Sequence, residues 1–508
     1  MRRLVISLLM VAATHGLGLA FPLRIEQKPV EGTVASWKSS GPGIRSLWYS
    51  RSGELVLIAG SDITRWKYDS PRGESASGRI SDEFTQIIPK EERFLVLSKT
   101  ALEPWGIQDN KFARLSMGSV KNDDHARAAV ATENSRRVFW SPGGKVAFLA
   151  DDTSKPVVLK LDDVKPTGLA LSPTGRLLAI ASGTGSVQIC NLKADGSLDR
   201  KISKRFPRRD EIPLAFSPDG RLLAVASAGR LVLLDVNTNQ IYRAFERRFD
   251  DGDISTMAFS PDGALVAIGT REPSPVVRVW HIASGKSLGE FSSHRATITG
   301  LAFDTKQFHL AAGDADGRVF VWKLSRDIEP RQRMTVADAW EQLDSIYPVV
   351  GHQAMADLLP EDAGEPGKNL QILMTRITEL DKERARLKKA IADLDHDEFR
   401  VREAARKTIL KTSYRGMELL QDPGRKKLGA EGEERVRSIL ARFEQDGLSK
   451  PENDMYGDAL RLIRLIQVLE AKAPKEANTA SEYLKTRHPG TRIALDSEAI
   501  LGLPDAKH

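Results

Sequence analysis

Only one cysteine, Cys190, occurs in the 508 residues. A lone thiol cannot close a disulfide within the chain, so cohesion has to come from a buried core. Cys190 sits inside the apolar run "VQICNL" with no histidine beside it, which argues against a catalytic nucleophile. The nine histidines are scattered, and no His-Glu-x-x-His, Gly-x-Ser-x-Gly or P-loop pattern occurs. Beyond the N-terminus no apolar run is long enough to cross a membrane as a helix. Neither sign of charge is scarce, and the net +7 is only a mild bias toward acidic partners. At this length the chain has room for two or three domains and a large core.

The first residues form a separate signal. Arg2 and Arg3 precede the apolar run Leu4–Ala13, and Gly18-Leu19-Ala20 offers the small residues that a signal peptidase reads. Residues 1–20 therefore read as a secretory signal cleaved before Phe21, leaving no membrane span in the mature chain. This expectation places the protein outside the cytoplasm, in a periplasm or the extracellular space.

A phrase then repeats. The turns "YSRSG" (Tyr49–Gly53), "WSPGG" (Trp140–Gly144), "LSPTG" (Leu171–Gly175), "FSPDG" (Phe216–Gly220) and "FSPDG" (Phe259–Gly263) line up, with degenerate copies at Ile88–Glu92 and Phe303–Gln307. Each turn lies between two apolar runs, and a further strand follows that often ends on an aromatic, as at Trp66, Trp105, Trp280 and Trp322. Seven units, mostly about forty residues apart with one long gap after Ile88 and one short unit after Ser141, imply a seven-bladed β-propeller over residues 24–326, with one four-stranded blade per unit. Because an open ring exposes sheet edges and the last unit stops at Leu324, Ile25–Trp37 is expected to supply its missing outer strand.

The last unit, His294–Leu324, resembles a WD repeat without a gap. The resemblance gives His294, Asp316 and Trp322 the places of the family's histidine, hairpin aspartate and strand tryptophan. In that family they join a serine or threonine in a hydrogen-bonded tetrad, whereas this chain has Ala312 there. The resemblance implies a ring used for protein binding.

After Arg326 the periodicity changes from 2 to 3.6. Residues 327–334 read as a linker, residues 335–503 as amphipathic helices, and 504–508 as a tail. Thr335 is an expected N-cap, and Asn369–Leu394 carries one apolar stripe, read as an intramolecular helix pair rather than a coiled coil. Ile391–Ile409 and Ala459–Ala477 resemble HEAT or armadillo helical modules found behind propellers in some exported bacterial proteins. That resemblance implies a presented surface and no known chemistry.

Candidate sites are few. Asp395, His396, Asp397 and Glu398 are consecutive at a helix start, so they cannot converge on one ion, and they read as capping residues. No metal or cofactor is expected. Arginines recur in the loops that precede the innermost strands: Arg136 and Arg137, Arg208 and Arg209, Arg247 and Arg248 beside Phe249, and Arg295. Repetition at the blade period predicts one basic rim for an acidic partner protein, although Asp210, Glu211, Asp250, Asp251 and Asp253 lie alongside. The favoured reading is a non-enzymatic interaction scaffold. An enzyme with its site in the central channel would need recurring carboxylates or histidines that are not found. A nucleic-acid binder would need aromatics among the basic residues.

Overall fold

The computed structural model describes residues 33–482 apart from several loops, among them 68–73, 115–119, 122–126, 131–135, 141–145, 151–156, 208–210, 246–252, 325–331, 359–365 and 446–456. Antiparallel blades of four strands run over residues 44–79, 84–114, 127–159, 166–205, 214–245, 254–291 and 298–323, the last completed by Thr33–Lys38 from the N-terminus. Thr33–Lys38 pairs along Arg318–Lys323, with Trp37 opposite Val319, and makes the blade's outer edge. The closing strand thus falls at the end of the expected segment, whose residues 25–32 lie outside the described ones. The first two blades also touch through a parallel pair at Ser77 and Lys111.

The apolar runs are continuous because both faces of each blade are covered. In Leu222–Ser227 the side chains of Leu222, Ala224 and Ala226 pack toward blade six, while Leu223 and Val225 pack toward blade four. Each interface between neighbouring blades has its own apolar cluster, from the one between blades one and two to the one that joins seven back to one. Glycine permits the close approach of one blade to the next. A Cβ at Gly313 would lie 2.6 Å from Cγ2 of Ile44.

The recurring turn is a hydrogen-bonded device. Ser217 Oγ accepts from Leu222 N at 2.9 Å and donates to Asp219 Oδ1 at 2.6 Å, and Asp219 Oδ1 accepts from Arg221 N. Ser260, Asp262 and Leu265 repeat it with distances of 2.8 and 2.5 Å. Gly220 and Gly263 close these turns at φ of 67° and 69°, where a side chain would be strained. Between blades, Ser255 Oγ donates to Ile298 O and Thr299 Oγ1 to Ile44 O, each joining one inner strand to the next.

Blade three departs from the sequence reading. Its innermost strand is Arg127–Val130, and the "WSPGG" turn joins the second and third strands rather than the first and second. This inserted inner strand accounts for the irregular spacing of the repeats around Ser141.

The seventh blade corrects one assignment. His294 Nδ1 bonds Asp314 Oδ2 at 2.9 Å with both side chains fully buried, whereas Asp316 is half exposed and pairs with Arg318. The residue two positions earlier wins because its carboxylate also accepts Asp316 N and Arg318 N and so shapes the hairpin. Trp322 is fully buried, its ring 5.9 Å from that of His294. His294 Nε2 and Trp322 Nε1 are both buried without a hydrogen-bond partner among the described residues.

Helices follow: α1 (Val336–Gln342), α2 (Pro348–Leu358), α3 (Pro366–Asp393), α4 (Phe399–Leu410), α5 (Ser413–Leu420), α6 (Ala430–Gln445) and α7 (Gly457–Lys472). Thr335 caps α1, its Oγ1 accepting from Asp338 N at 3.1 Å. They enclose two cores. Leu373, Ile377 and Leu380 of α3 pack with α1, α2 and α7, and Leu387, Ile391 and Leu394 pack with α4, α5 and α6.

The two orphaned nitrogens of blade seven generate a prediction. Ala312 holds the family's serine or threonine place and shares a buried cluster with Trp322, so the hydroxyl of Ala312→Ser is expected to accept from Trp322 Nε1 and meet His294 Nε2. The variant is expected to gain about 1 kcal/mol in chemical denaturation. A loss of stability would show that the space is too tight for the oxygen.

Candidate functional site

The propeller has two rims with different fates. On one lie the first-to-second strand turns, on the other the loops entering each innermost strand. The first rim is covered, at blades four and five, by α2 and α7.

The joint is polar at its centre. Asp235 ends the third strand of blade five and is fully buried. Its Oδ1 accepts from Thr238 N at 2.6 Å and Thr238 Oγ1 at 2.7 Å. Its Oδ2 accepts from His352 Nε2 on α2 at 2.6 Å and lies 3.8 Å from Arg464 Nη2 on α7. Arg464 is also fully buried, and its Nη1 donates to the carbonyls of Leu343 and Ser345 at 2.8 and 2.7 Å. Gly351 makes room for that guanidinium, since a Cβ there would fall 2.0 Å from Nη1.

Around this centre the contacts spread. Asn237 and Gln467 exchange amide hydrogen bonds at 3.0 and 3.3 Å, Arg221 donates to Gln467 O at 3.2 Å, and Arg176 pairs with Glu470 at 3.5 Å. Tyr242 meets the His352 ring edge-on, and Val349 joins the apolar cluster between blades five and six.

Burial alone would raise the Asp235 carboxyl, but the hydrogen bond and charge of His352, the charge of Arg464 and the Thr238 bond hold it well below the usual carboxylate range. Its contribution to the joint is fully present above about pH 4 and is lost as the pH falls through the depressed value. Burial lowers the Arg464 guanidinium, and Asp235 and Asp344 oppose that shift.

The opposite rim is open over the same blades. A cleft of about 330 Å³ lies there between Glu211, Pro213, Ala226–Gly229, Asp253, Ile254 and Arg271, with Arg271 paired to Glu211 at 2.9 Å. Arg295 is exposed on this rim. Arg208, Arg209, Arg247, Arg248 and Phe249 lie outside the described residues.

Arg136 and Arg137 do not belong to this surface. Both are buried, and Arg136 donates to Gly175 O at 3.2 Å, in a first-to-second strand turn on the covered rim. The extra inner strand of blade three inverts the place of their loop, and burial lowers the Arg136 guanidinium, with the charge of Arg176 adding to it. The expected capping of α4 does not form, since its N-cap Glu398 makes no side-chain cap hydrogen bond; His396 Nδ1 accepts from Glu398 N, and Asp395 accepts from Gly429 N ahead of α6 instead. Among the described residues no three His, Cys, Asp or Glu side chains come together as a metal-sized group.

Sequence reasoning missed Asp235, His352, Arg464 and Gln467. One signal existed in "ALRLIRLIQVLEA", where Arg461, Arg464, Gln467 and Glu470 recur every third residue in a mostly apolar run. Arg461 is buried over the Trp340 ring and paired with Asp344 at 3.2 Å.

Residues 214–306, which span blades five and six and the start of seven, match a family model described as the anaphase-promoting complex subunit 4 WD40 domain. Among solved structures, the β-propeller domain of Cps50 (Swd1) from Myceliophteria thermophila is similar at 15% identity and a TM-score of 0.49, over 57% of this chain and 100% of that one. Comparison with curated proteins gives no match.

The joint predicts an asymmetry. Asp235→Ala leaves Arg464 buried beside an empty place and is expected to cost about 3–5 kcal/mol in chemical denaturation. Arg176→Ala, at a partly exposed pair, is expected to cost less than about 1 kcal/mol. Equal losses would mean that the centre of the joint carries no special weight.

Proposed function

We propose that this protein is an exported, non-enzymatic scaffold that brings other proteins together through its open propeller rim and its helical module. The observation that supports this is the division of the ring. One rim is covered at blades four and five by the chain's own helices, and the other presents loops held at fixed spacing by the blades. The matched WD40 segment fits this reading, as propellers of that kind generally bind other proteins. The paired packing of α3 to α6 suits a HEAT-like module.

The partner of the open rim is read as acidic, from the arginines at positions 208, 209, 247, 248 and 295. The described part of this rim also carries Glu211 and Asp253, so the arginines steer the encounter more than they hold the complex. The export reading rests on the Arg2-Arg3 start and the small residues before Phe21.

Two measurements test these statements. N-terminal sequencing of the native protein is expected to begin at Phe21, and an intact Met1 in a cytoplasmic fraction would refute export. Reversal of Arg208 and Arg247 to Glu is expected to slow association with an acidic partner severalfold and flatten its salt dependence, with folding unchanged. If neighbouring acids already cancel the field, rate and salt dependence stay as in the parent.

A further inference from the structure

Charge is unevenly placed in this chain. Residues 382–445 hold 17 lysines and arginines against 12 aspartates and glutamates, while the rest of the chain after residue 32 balances to zero. Around the second helical core many charges are matched, for example Arg384 with Glu418 at 3.1 Å, Arg415 with Glu383 at 2.9 Å and Arg425 with Glu433 at 2.8 Å.

Part of the exposed excess lies on α3 and α4, and the rest, Lys426, Lys427 and Arg437, lies before and on α6. Lys382, Arg386 and Lys389 are exposed at i, i+4 and i+7 on α3, opposite the buried Leu387 and Ile391. Arg400, Lys407 and Lys411 are exposed at i, i+7 and i+11 along α4, opposite the buried Ala405 and Ile409. None of these six is ion-paired with a described residue.

Phe399 opens α4, next to Arg400 in the chain, with 70% of its surface exposed. The turn that carries it is locked. Arg402 donates to the carbonyls of His396 and Asp397 at 2.7 and 2.6 Å, Arg435 donates to Leu394 O at 2.9 Å, and Asp395 accepts from Gly429 N at 2.7 Å. The Arg402 guanidinium lies 5.9 Å from the Phe399 ring. An aromatic ring held outward on a rigid turn is a preorganised anchor, with little ordering cost left on binding.

We propose that the outer face of α3 and α4 docks an acidic protein surface whose apolar pocket receives Phe399. This rests on the scaffold reading and names the face of the helical module that it uses. A protein occupant fits better than an anionic bilayer. Asp395, Asp397 and Glu398 are exposed at the same end as Phe399, and carboxylates there would meet lipid headgroups of their own sign. A protein rim accommodates such mixed charge.

The test uses the full chain and three probes: a labelled glutamate-rich helical peptide with an apolar stripe, vesicles of phosphatidylglycerol and phosphatidylcholine, and a short DNA duplex. The peptide is expected to bind in preference to the other two. The combined reversal R400E, K407E and K411E should weaken it about tenfold, and F399A severalfold, with helical circular dichroism unchanged. No peptide binding, peptide binding insensitive to the triple reversal, or a preference for vesicles or DNA would overturn the proposal. The rim reversal at Arg208 and Arg247 separates the two readings. Binding to an acidic protein that depends on the rim but not on α4 sinks this inference alone, and dependence on neither face sinks the scaffold reading with it.

Discussion

Each blade of this ring has two apolar faces, and neither can be left in water. A four-stranded sheet buried on both sides needs a neighbour on both sides, and only a closed circle supplies one to every blade. The core is therefore a set of slabs between blades rather than a single mass. Much of the rest depends on that constraint. Strand Thr33–Lys38 completes the last blade, glycines at positions such as Gly313 let one blade approach the next, and Ser255 and Thr299 tie inner strands across the joins.

The joint between ring and helices follows different physics. Asp235, His352 and Arg464 are charged or polar groups placed where apolar side chains could have packed, and such burial seldom adds net stability. What it adds is register. Asp235 meets His352 and Arg464 only if α2 and α7 arrive together, and Arg464 Nη1 finds acceptors only if the segment after α1 turns the Leu343 and Ser345 carbonyls inward. Apolar contact alone, as at Val349, would tolerate sliding. The covered rim is thereby fixed, and α3 carries the second helical core onward from the first.

The sequence by itself determined the ring. Short continuous apolar runs punctuated by Ser-Pro-Asp-Gly turns leave few alternatives, because the turn's hydrogen bonds and left-handed glycine are local. The change to a 3.6 period marked the helices, and Thr335 marked where they begin. Local signals of this kind need no knowledge of distant residues.

Other features were decided only by the tertiary structure. The partner of His294 is Asp314 rather than Asp316, since two carboxylates two residues apart differ only in which way the folded hairpin turns them. Arg136 and Arg137 moved from an expected binding rim into burial because an inner strand at Arg127–Val130, weak as a sequence pattern, inverted their loop. Asp235 and His352 lie 117 residues apart, and neither is unusual in its own segment. Spacing along the chain says which face a side chain takes, but which faces meet is settled by packing between domains.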